Sequence, residues 1–382
     1  MQDFTRVRDQ TDSQPLRVLL ASANFRPSVG GIEQYVDNLA HGLAARGHTV
    51  TVAACRTDSA AREEQDGNVT IVRLPATDVL DDRLNVPYPV PEPFAAWRTL
   101  RRLVGAADVV HPHDAIYVTT VLSLALARRR GVTSVLTQHV AFVPQRNLAL
   151  NAAQRAAIAT LGRSARVATR VVAYNPAVAD WAQTTWGLAD VPVLPPGVPE
   201  APKVDRDEVR RELGLPTDRF IALFAGRDVP KKGLDVFLDA SNPAYELVAV
   251  TDRPPATAPA GARLLPFLEP HRFRELLACV DAFVLPSEGE GLPLALQEAL
   301  VTGVPCVITP SPGYDHYLHE DEAMLVSRTP EAIRAALLSL AGDGSFRAQL
   351  ASRSQEAGAR EFGLGHFVGE YERLYRDTLG AQ

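Results

Sequence analysis

LPSEGEGLPLALQEALVTGVP, residues 285–305, is the stretch whose reading decides the fold. It begins at the end of an apolar run, DAFVL, with the composition of a strand buried on both faces of a parallel sheet. The turn SEGEG follows, then a helix expected from about Pro293, then a second short apolar run, CVI. Proline at the first helical position suits the fixed φ of that site and forfeits no needed hydrogen bond. Glu290 stands on the loop and Glu298 on the helix, with seven residues between them. That spacing places one carboxylate at the mouth of the strand's carboxyl end and the other one to two turns into the helix. Between them lie the free N–H groups of Gly291, Leu292 and the first helical turn, a ready anion site. The arrangement suits a ligand whose diphosphate is flanked by two polyols, with phosphates on the helix start and one carboxylate for each set of hydroxyls.

Outward from this stretch, apolar runs alternate with helical patterns in both directions. Upstream, RVLLA, HTVTVAAC, VTIVRLP, ADVVHPHD, SVLTQH and RVVAY read as strands, separated by helices that include IEQYVDNLAHGLAARG, PFAAWRTLRRLV, IYVTTVLSLALARRR and one long basic helix near residues 151–169. NVPYPVPEP reads as an extended surface loop. At VPVLPPGVPEAPKVDRDE the composition shifts to proline and charge, and the alternation restarts with FIALFAG, ELVAV, RLLPF and DAFVLP. The expected organisation is a flexible leader (1–15), a first domain (16–195), a second domain (196–362), and a C-terminal helix (363–382) packing back on the first domain. Strands alternating with helices specify an α/β class of two doubly wound, Rossmann-like domains, expected to face each other across a cleft.

Composition bounds the function. The chain has 382 residues, 46% hydrophobic and 22% charged, the profile of a water-soluble globular protein. No apolar run approaches a membrane span, and the N-terminus lacks a signal-peptide core. Cys55, Cys279 and Cys306 lie far apart in apolar runs and read as buried thiols in a reducing compartment, so a cytoplasmic location is expected. The net charge of −6 divides into +3 for residues 1–190 and −9 for the rest, which argues against a general nucleic-acid binder. One local exception is residues 145–170, where Arg146, Arg155, Arg163, Arg166 and Arg170 occur with no acidic residue. This segment could rest peripherally on the anionic inner face of a membrane; a solvated arginine face is the alternative, and the sequence favours it. Abundant Ala and Arg with scarce Lys points to a GC-rich bacterial genome.

Three further constellations carry candidate chemistry. Gly30 and Gly31 lie between a strand and a helix, where paired glycines permit a sharp turn and the close approach of a phosphate or sugar. The spacing is not that of a dinucleotide fingerprint. Arg227 and Lys232 stand on the loop RDVPKKG leaving a strand, and two of the chain's three lysines fall there, Lys231 and Lys232. An ammonium and a forked guanidinium five residues apart can neutralise a diphosphate leaving group. His139 ends a strand whose carboxyl end is expected at the ligand crevice, and a structural histidine is the competing reading. His111, His113 and Asp114, and the cluster Asp315, His316, His319 and Glu320, lack a convincing metal-ligand spacing, so no metal is expected.

Taken together, these residues resemble the retaining, GT-B-fold glycosyltransferases of family 4, from about residue 16 onward. The likeness is most specific at the E-x7-E pattern, Glu290 to Glu298, supported in order by GGIEQYVDNLAHGLAARGHTV, ADVVHPHD, LTQH, PPGV and GRDVPKKG. The resemblance implies transfer of a sugar from a nucleoside-diphosphate sugar to an acceptor hydroxyl, on a lipid-linked glycan, a polysaccharide precursor or a small-molecule glycoside. It implies no cofactor beyond that co-substrate. Arg227 and Lys232 would grip the diphosphate, Glu298 the ribose, and Glu290 the donor sugar's hydroxyls. Backbone N–H groups around Gly291, Leu292 and Pro293 would meet sugar and phosphate. Gly30 and Gly31 would shape the donor–acceptor boundary, and His139 would contact the transferred sugar. The chain departs from the family pattern at Tyr35, where a histidine is common, at Pro196-Gly197-Val198-Pro199, where Asn-Gly-Val-Asp is common, and at VTDRPP, which replaces a glycine-rich turn. The alternatives are a GT-B phosphorylase, a sugar-nucleotide epimerase, or a nucleotide-sugar-binding protein without turnover.

Overall fold

The computed structural model describes residues 14–28, 30–56, 61–78, 88–142, 147–255, 257–288, 293–311, 313–314 and 317–381. The chain divides into two compact units, Met1–Pro195 with Phe367–Gln382, and Pro196–His366.

In the first unit the apolar runs become β1 (Arg17–Ala21), β2 (Thr49–Cys55), β4 (Val69–Leu74), β7 (Val109–Pro112), β8 (Thr133–Gln138) and β9 (Arg170–Ala173). The sheet order is β3-β4-β2-β1-β7-β8-β9, parallel throughout except where β3 (Glu63–Asp66) forms an antiparallel hairpin with β4. A small ribbon pairs β5 (Ala76–Thr77) with β6 (Val90–Pro91). Neither β3 nor the ribbon is expected from the sequence. Residues 85–87 of the proline-rich loop lie outside the described residues, and the remainder begins a strand instead of staying irregular. The interleaved helices are α1 (Gly31–Ala45), α2 (Pro93–Val104), α3 (Val118–Arg130), α4 (Leu148–Thr160) and α5 (Pro176–Trp186).

Two helices correct the sequence reading. The long basic helix ends at Thr160 and continues as a tighter 3-10 turn over Leu161–Val167. There the chain passes close to Trp186: a Cβ on Gly162 would lie 2.8 Å from the indole nitrogen. Helix α5 is absent from the sequence reading, yet its signals are present. The Asn175 side chain caps Val178 N, Pro176 takes the first turn, and Gly187 closes it at φ 63.

The second unit builds β10 (Phe220–Ala225), β11 (Tyr245–Val250), β12 (Ala262–Leu265), β13 (Ala282–Leu285), β14 (Cys306–Ile308) and β15 (Met324–Leu325) into a parallel sheet ordered β12-β11-β10-β13-β14-β15. Its helices are α6 (Arg206–Glu212), α7 (Leu234–Asp239), α8 (Pro270–Leu277), α9 (Leu294–Thr302), α10 (Pro330–Gly342) and α11 (Gly344–Phe362). Helix α12 (Leu364–Gly380) follows, and from Phe367 its residues belong to the first unit. Helix α9 is fixed by close packing: a Cβ on Gly358 of α11 would stand 2.4 Å from the backbone of Leu300. The three cysteines are buried and free.

Setting β3 and the ribbon aside, both sheets share one order, 3-2-1-4-5-6 by sequence rank. In each, the direction of winding reverses between the first and fourth strands, β1 and β7 in one unit, β10 and β13 in the other. Ligands of doubly wound sheets bind outside the carboxyl ends of the strands at such a reversal.

Candidate active site

The second unit places two predicted loops at its reversal point. Strands β10 and β13 are neighbours, with Ala222 opposite Ala282 and Leu223 opposite Phe283. The loop leaving β10 carries Arg227, Lys231 and Lys232, and the loop leaving β13 carries Pro286, Ser287 and Glu288. The two are joined directly. Glu288 N donates to Lys231 O at 2.8 Å, and Ser287 Oγ to Lys232 O at 3.5 Å. Gly233 closes the lysine turn at φ 73, where any side chain would be strained and a Cβ would lie 2.3 Å from Pro286 O. Arg227 and Lys231 are exposed, and Lys232 is half-buried. Two cationic side chains therefore stand in solvent where the strand order reverses, beside the start of the acidic stretch.

Glu290, Gly291 and Leu292 lie outside the described residues. Pro293 is not the first helical residue. Its ψ of 130° is extended, so it is the N-cap, and α9 begins at Leu294. Gln297 N still donates to Pro293 O at 3.3 Å, so the helix starts one residue later than expected without changing its face.

Glu298 sits mid-helix on α9 and is only 6% exposed. Burial pushes its carboxyl up to about 7, and the charge of Arg274 on α8 opposes that shift. The Arg274 Nη1 to Glu298 Oε1 distance is 3.6 Å, an ion pair too long to be a hydrogen bond. Arg274 Nη1 is buried with no hydrogen-bond partner among the described residues. The sequence reading misses Arg274 because no local pattern links it to a glutamate on the next helix.

At the first unit's reversal point the predicted residues are also gathered, in a different environment. Gly30 is the N-cap of α1 and Gly31 its first residue. Gly30 is extended at φ −170 and Gly31 is not at positive φ, so the sharp-turn rationale does not hold. Space explains Gly31, where a Cβ would meet nothing within 4 Å, but not Gly30, where a Cβ would fall against the Glu33 carboxylate at the head of α1. His139 follows β8 and is buried, its backbone N–H donating to Asp114 Oδ1 at 2.8 Å and its Nε2 lying 3.0 Å from His113 Nδ1. Asp114 is the one non-glycine residue at positive φ (56°) among those described, and burial raises its carboxyl to about 7. Burial lowers His111 and His139 to about 3, and drives His113 down as well, so all three rings are neutral. His139 Nδ1 has no hydrogen-bond partner among the described residues.

Beneath these rings runs a continuous chain of hydrogen bonds. Tyr375 OH lies 2.7 Å from His111 Nδ1, His111 Nε2 2.7 Å from Thr137 Oγ1, Thr137 Oγ1 2.7 Å from Tyr371 OH, and Tyr371 OH 2.6 Å from Tyr35 OH. Tyr35 OH donates to Leu194 O at 3.3 Å. That last donor sets the direction of the rest: each hydroxyl donates toward Leu194, and His111 carries its proton on Nε2. Tyr35, which stands where the resembled family often has histidine, is thereby committed to internal bonding, with its ring edge-on to His139 at 4.6 Å.

Elsewhere on the first unit, two grooves of about 460 Å³ flank the 3-10 turn. One is lined by Arg155, Arg163 and Arg166 together with Phe142, Trp181 and Trp186, with the Arg155 guanidinium over the Phe142 ring at 5.1 Å; the other is lined by Arg128, Arg129 and Leu124. No acidic side chain lines either among the described residues. Arg146 lies outside the described residues, and Arg170 pairs with Asp190 at 2.6 Å. Among the described residues, no group of three or more His, Cys, Asp or Glu side chains is arranged to hold a metal ion, and no helix is long and apolar enough to cross a membrane. Asp315 and His316 lie outside that set.

Comparison with known proteins covers both units. Residues 29–201 match Glycosyltransferase Family 4, and residues 219–343 match Glycosyl transferases group 1. A D-inositol 3-phosphate glycosyltransferase of Acidothermus cellulolyticus is 27% identical over 96% of this chain and 91% of its own. A GDP-mannose-dependent alpha-mannosyltransferase of Mycobacterium tuberculosis is 30% identical over 78% of this chain and 80% of its own. Among solved structures, HepE of Anabaena in complex with UDP superposes with a TM-score of 0.68 at 16% identity, over 95% of this chain and 100% of that one, which shows a shared fold. Two Rossmann-like sheets, each with candidate groups at its reversal point, thus coincide with sequence matches in both units, and the chain belongs to the family 4 glycosyltransferases of GT-B fold.

Proposed function

We propose that the enzyme transfers a hexose-like sugar from a nucleoside diphosphate to an acceptor hydroxyl with retention of anomeric configuration. The second unit holds the donor. Arg227 and Lys232 grip the diphosphate, Glu298 accepts from the ribose hydroxyls, and Glu290 with the N–H groups about Gly291, Leu292 and Pro293 meets the sugar. On the first unit, His139 is the group proposed to contact the transferred sugar, and Gly30 and Gly31 to shape the acceptor side, Gly31 with open space at its Cβ position. The observation that carries this reading is the junction of the lysine loop with the acidic loop at the reversal point of the second sheet. Attack on the same face as departure needs no protein nucleophile. Catalysis then rests on holding the reactants and on stabilising the leaving diphosphate's charge. Because Arg227 and Lys232 supply that positive charge, turnover requires no metal and is unchanged by a chelator.

The test is a thermal-shift panel of nucleotide sugars, including UDP-glucose and GDP-mannose, followed by magnetic-resonance assignment of the product's anomeric configuration. Inositol 3-phosphate belongs in the acceptor panel because a relative's name specifies it. One stabilising donor and a retained configuration support the reading. No binding across the panel, or inversion, overturns it.

The arginine-lined grooves support the finer proposal that the enzyme works at an anionic membrane surface. Guanidinium groups lining the same groove as aromatic side chains suit phosphate headgroups with adjoining acyl chains. Sedimentation with phosphatidylglycerol vesicles should be lost on substituting Arg155, Arg163 and Arg166 together, and weakened by salt. Binding indifferent to both refutes membrane contact.

A further inference from the structure

The lysine loop and the acidic loop meet through few bonds of their own, and both are covered by one side chain from elsewhere in the second unit. Arg328 follows β15 and precedes α10. Its Nε donates to Pro286 O at 2.8 Å, its Nη2 donates to Pro230 O, and its Nη1 lies 3.3 Å from Glu288 Oε1. Each of its three nitrogens therefore serves a different partner. Two of those partners are carbonyls, one at the start of the lysine turn and one at the end of β13. A planar guanidinium can address them together, whereas a lysine ammonium on a flexible stem cannot reproduce the fork. The third contact pairs Arg328 with Glu288, whose side chain remains 68% exposed, on the loop leading to Glu290.

We propose that Arg328 is a positioning residue for the nucleotide-sugar donor, locking the 227–232 loop to the 286–288 loop so that the diphosphate cations and the acidic helix start act on one ligand. It touches no substrate itself. Its effect is to fix the separation of two loops that must grip the same molecule, and to hold a nearby negative charge away from the phosphates. This rests on the donor-site reading above. Because Arg328 serves the diphosphate end of the ligand, its loss should be felt by nucleoside diphosphates and not by the nucleosides alone.

The test titrates UDP and GDP, with uridine and guanosine for comparison, into the full-length protein and its Arg328→Gln, Arg328→Lys, Glu288→Gln and Lys232→Ala variants, with thermal unfolding measured alongside. Arg328→Gln should weaken the better-bound diphosphate about tenfold, the scale of a lost charge-assisted contact. Its nucleoside affinity and unfolding temperature should stay near those of the parent. Arg328→Lys should stay within about threefold of Arg328→Gln, because the two carbonyl bonds are not restored. Glu288→Gln, which keeps those bonds, should cost less than about threefold. If Lys232→Ala weakens the diphosphate while Arg328→Gln changes it less than twofold, the positioning role is overturned. Equal losses for diphosphate and nucleoside, or full recovery in Arg328→Lys, overturn it as well. If Lys232→Ala is itself without effect, the donor-site reading fails, and the positioning role fails with it.

Discussion

The two reversal points share a strand order and differ in almost everything else. In the second unit the crest is open and cationic: Arg227 and Lys231 stand in solvent, and the loops are joined mainly through backbone carbonyls. In the first unit the crest is closed and neutral, with His111, His113 and His139 buried against Tyr35 and Tyr371, and burial holding every ring uncharged. Topology fixes where a site lies, and the side chains decide what it can hold. A charged, solvent-open crest suits a diphosphate whose charge grows as it leaves, whereas a dry, neutral one suits hydroxyl groups read by shape and by single hydrogen bonds.

That contrast can be broken most severely at the cationic crest. Lys232→Ala should lower turnover by about 100-fold, since removing one positioned stabiliser of developing negative charge has that order of effect. Initial rates at saturating donor would measure it, and a loss below threefold would place the charge elsewhere. Next is Glu298. A carboxyl raised to about 7 accepts hydroxyl hydrogen bonds fully only when ionised, so donor KM should fall as pH rises from 6 to 8. The sugar nucleotide's phosphate diester groups do not titrate in that window, so the dependence belongs to the protein. Glu298→Gln should raise KM about tenfold and flatten the pH profile. A profile that persists in the variant assigns the titration to another group.

At the neutral crest the expected effects are smaller. His139→Gln should cost about tenfold or less in kcat/KM, because one neutral hydrogen bond to the sugar is at stake. The buried histidines also predict acid sensitivity. Their folded values, about 3 for His111 and His139, lie below the unfolded value near 6.5. The unfolded chain therefore binds protons that the folded chain refuses as pH falls below 6.5, and stability declines through that window. Denaturant midpoints at pH 7.5 and 5.5 should diverge less in His139→Gln than in the parent. An unchanged difference would mean that other groups dominate.

Much of this arrangement is legible in the sequence, for physical reasons. Buried parallel strands must be continuously apolar, so RVLLA, FIALFA and AFVL announce themselves, and the loops after them follow by position. The lysines of the 227–232 loop stand out because the chain otherwise uses arginine. What is hidden depends on contacts between distant residues. Tyr35 and Tyr371 are 336 positions apart, and nothing local in either segment signals their hydrogen bond. Arg274 and Arg328 act on other elements through side-chain reach. Helix α5 escapes because its buried residues, Val178, Ala179, Ala182 and Trp186, are few and lie in a short segment, although its caps are clear. The start of α9 is one residue off because proline's usual place is the first helical position, whereas Pro293 has an extended ψ of 130° and stands at the N-cap.

The most direct test of the central claim is calorimetric titration of UDP and GDP into the parent protein and an Arg227→Ala/Lys232→Ala double variant at one ionic strength. The account predicts that one diphosphate binds the parent and that the double variant binds it at least 100-fold more weakly, as loss of two charge-assisted contacts requires. Equal affinity in both proteins would contradict it.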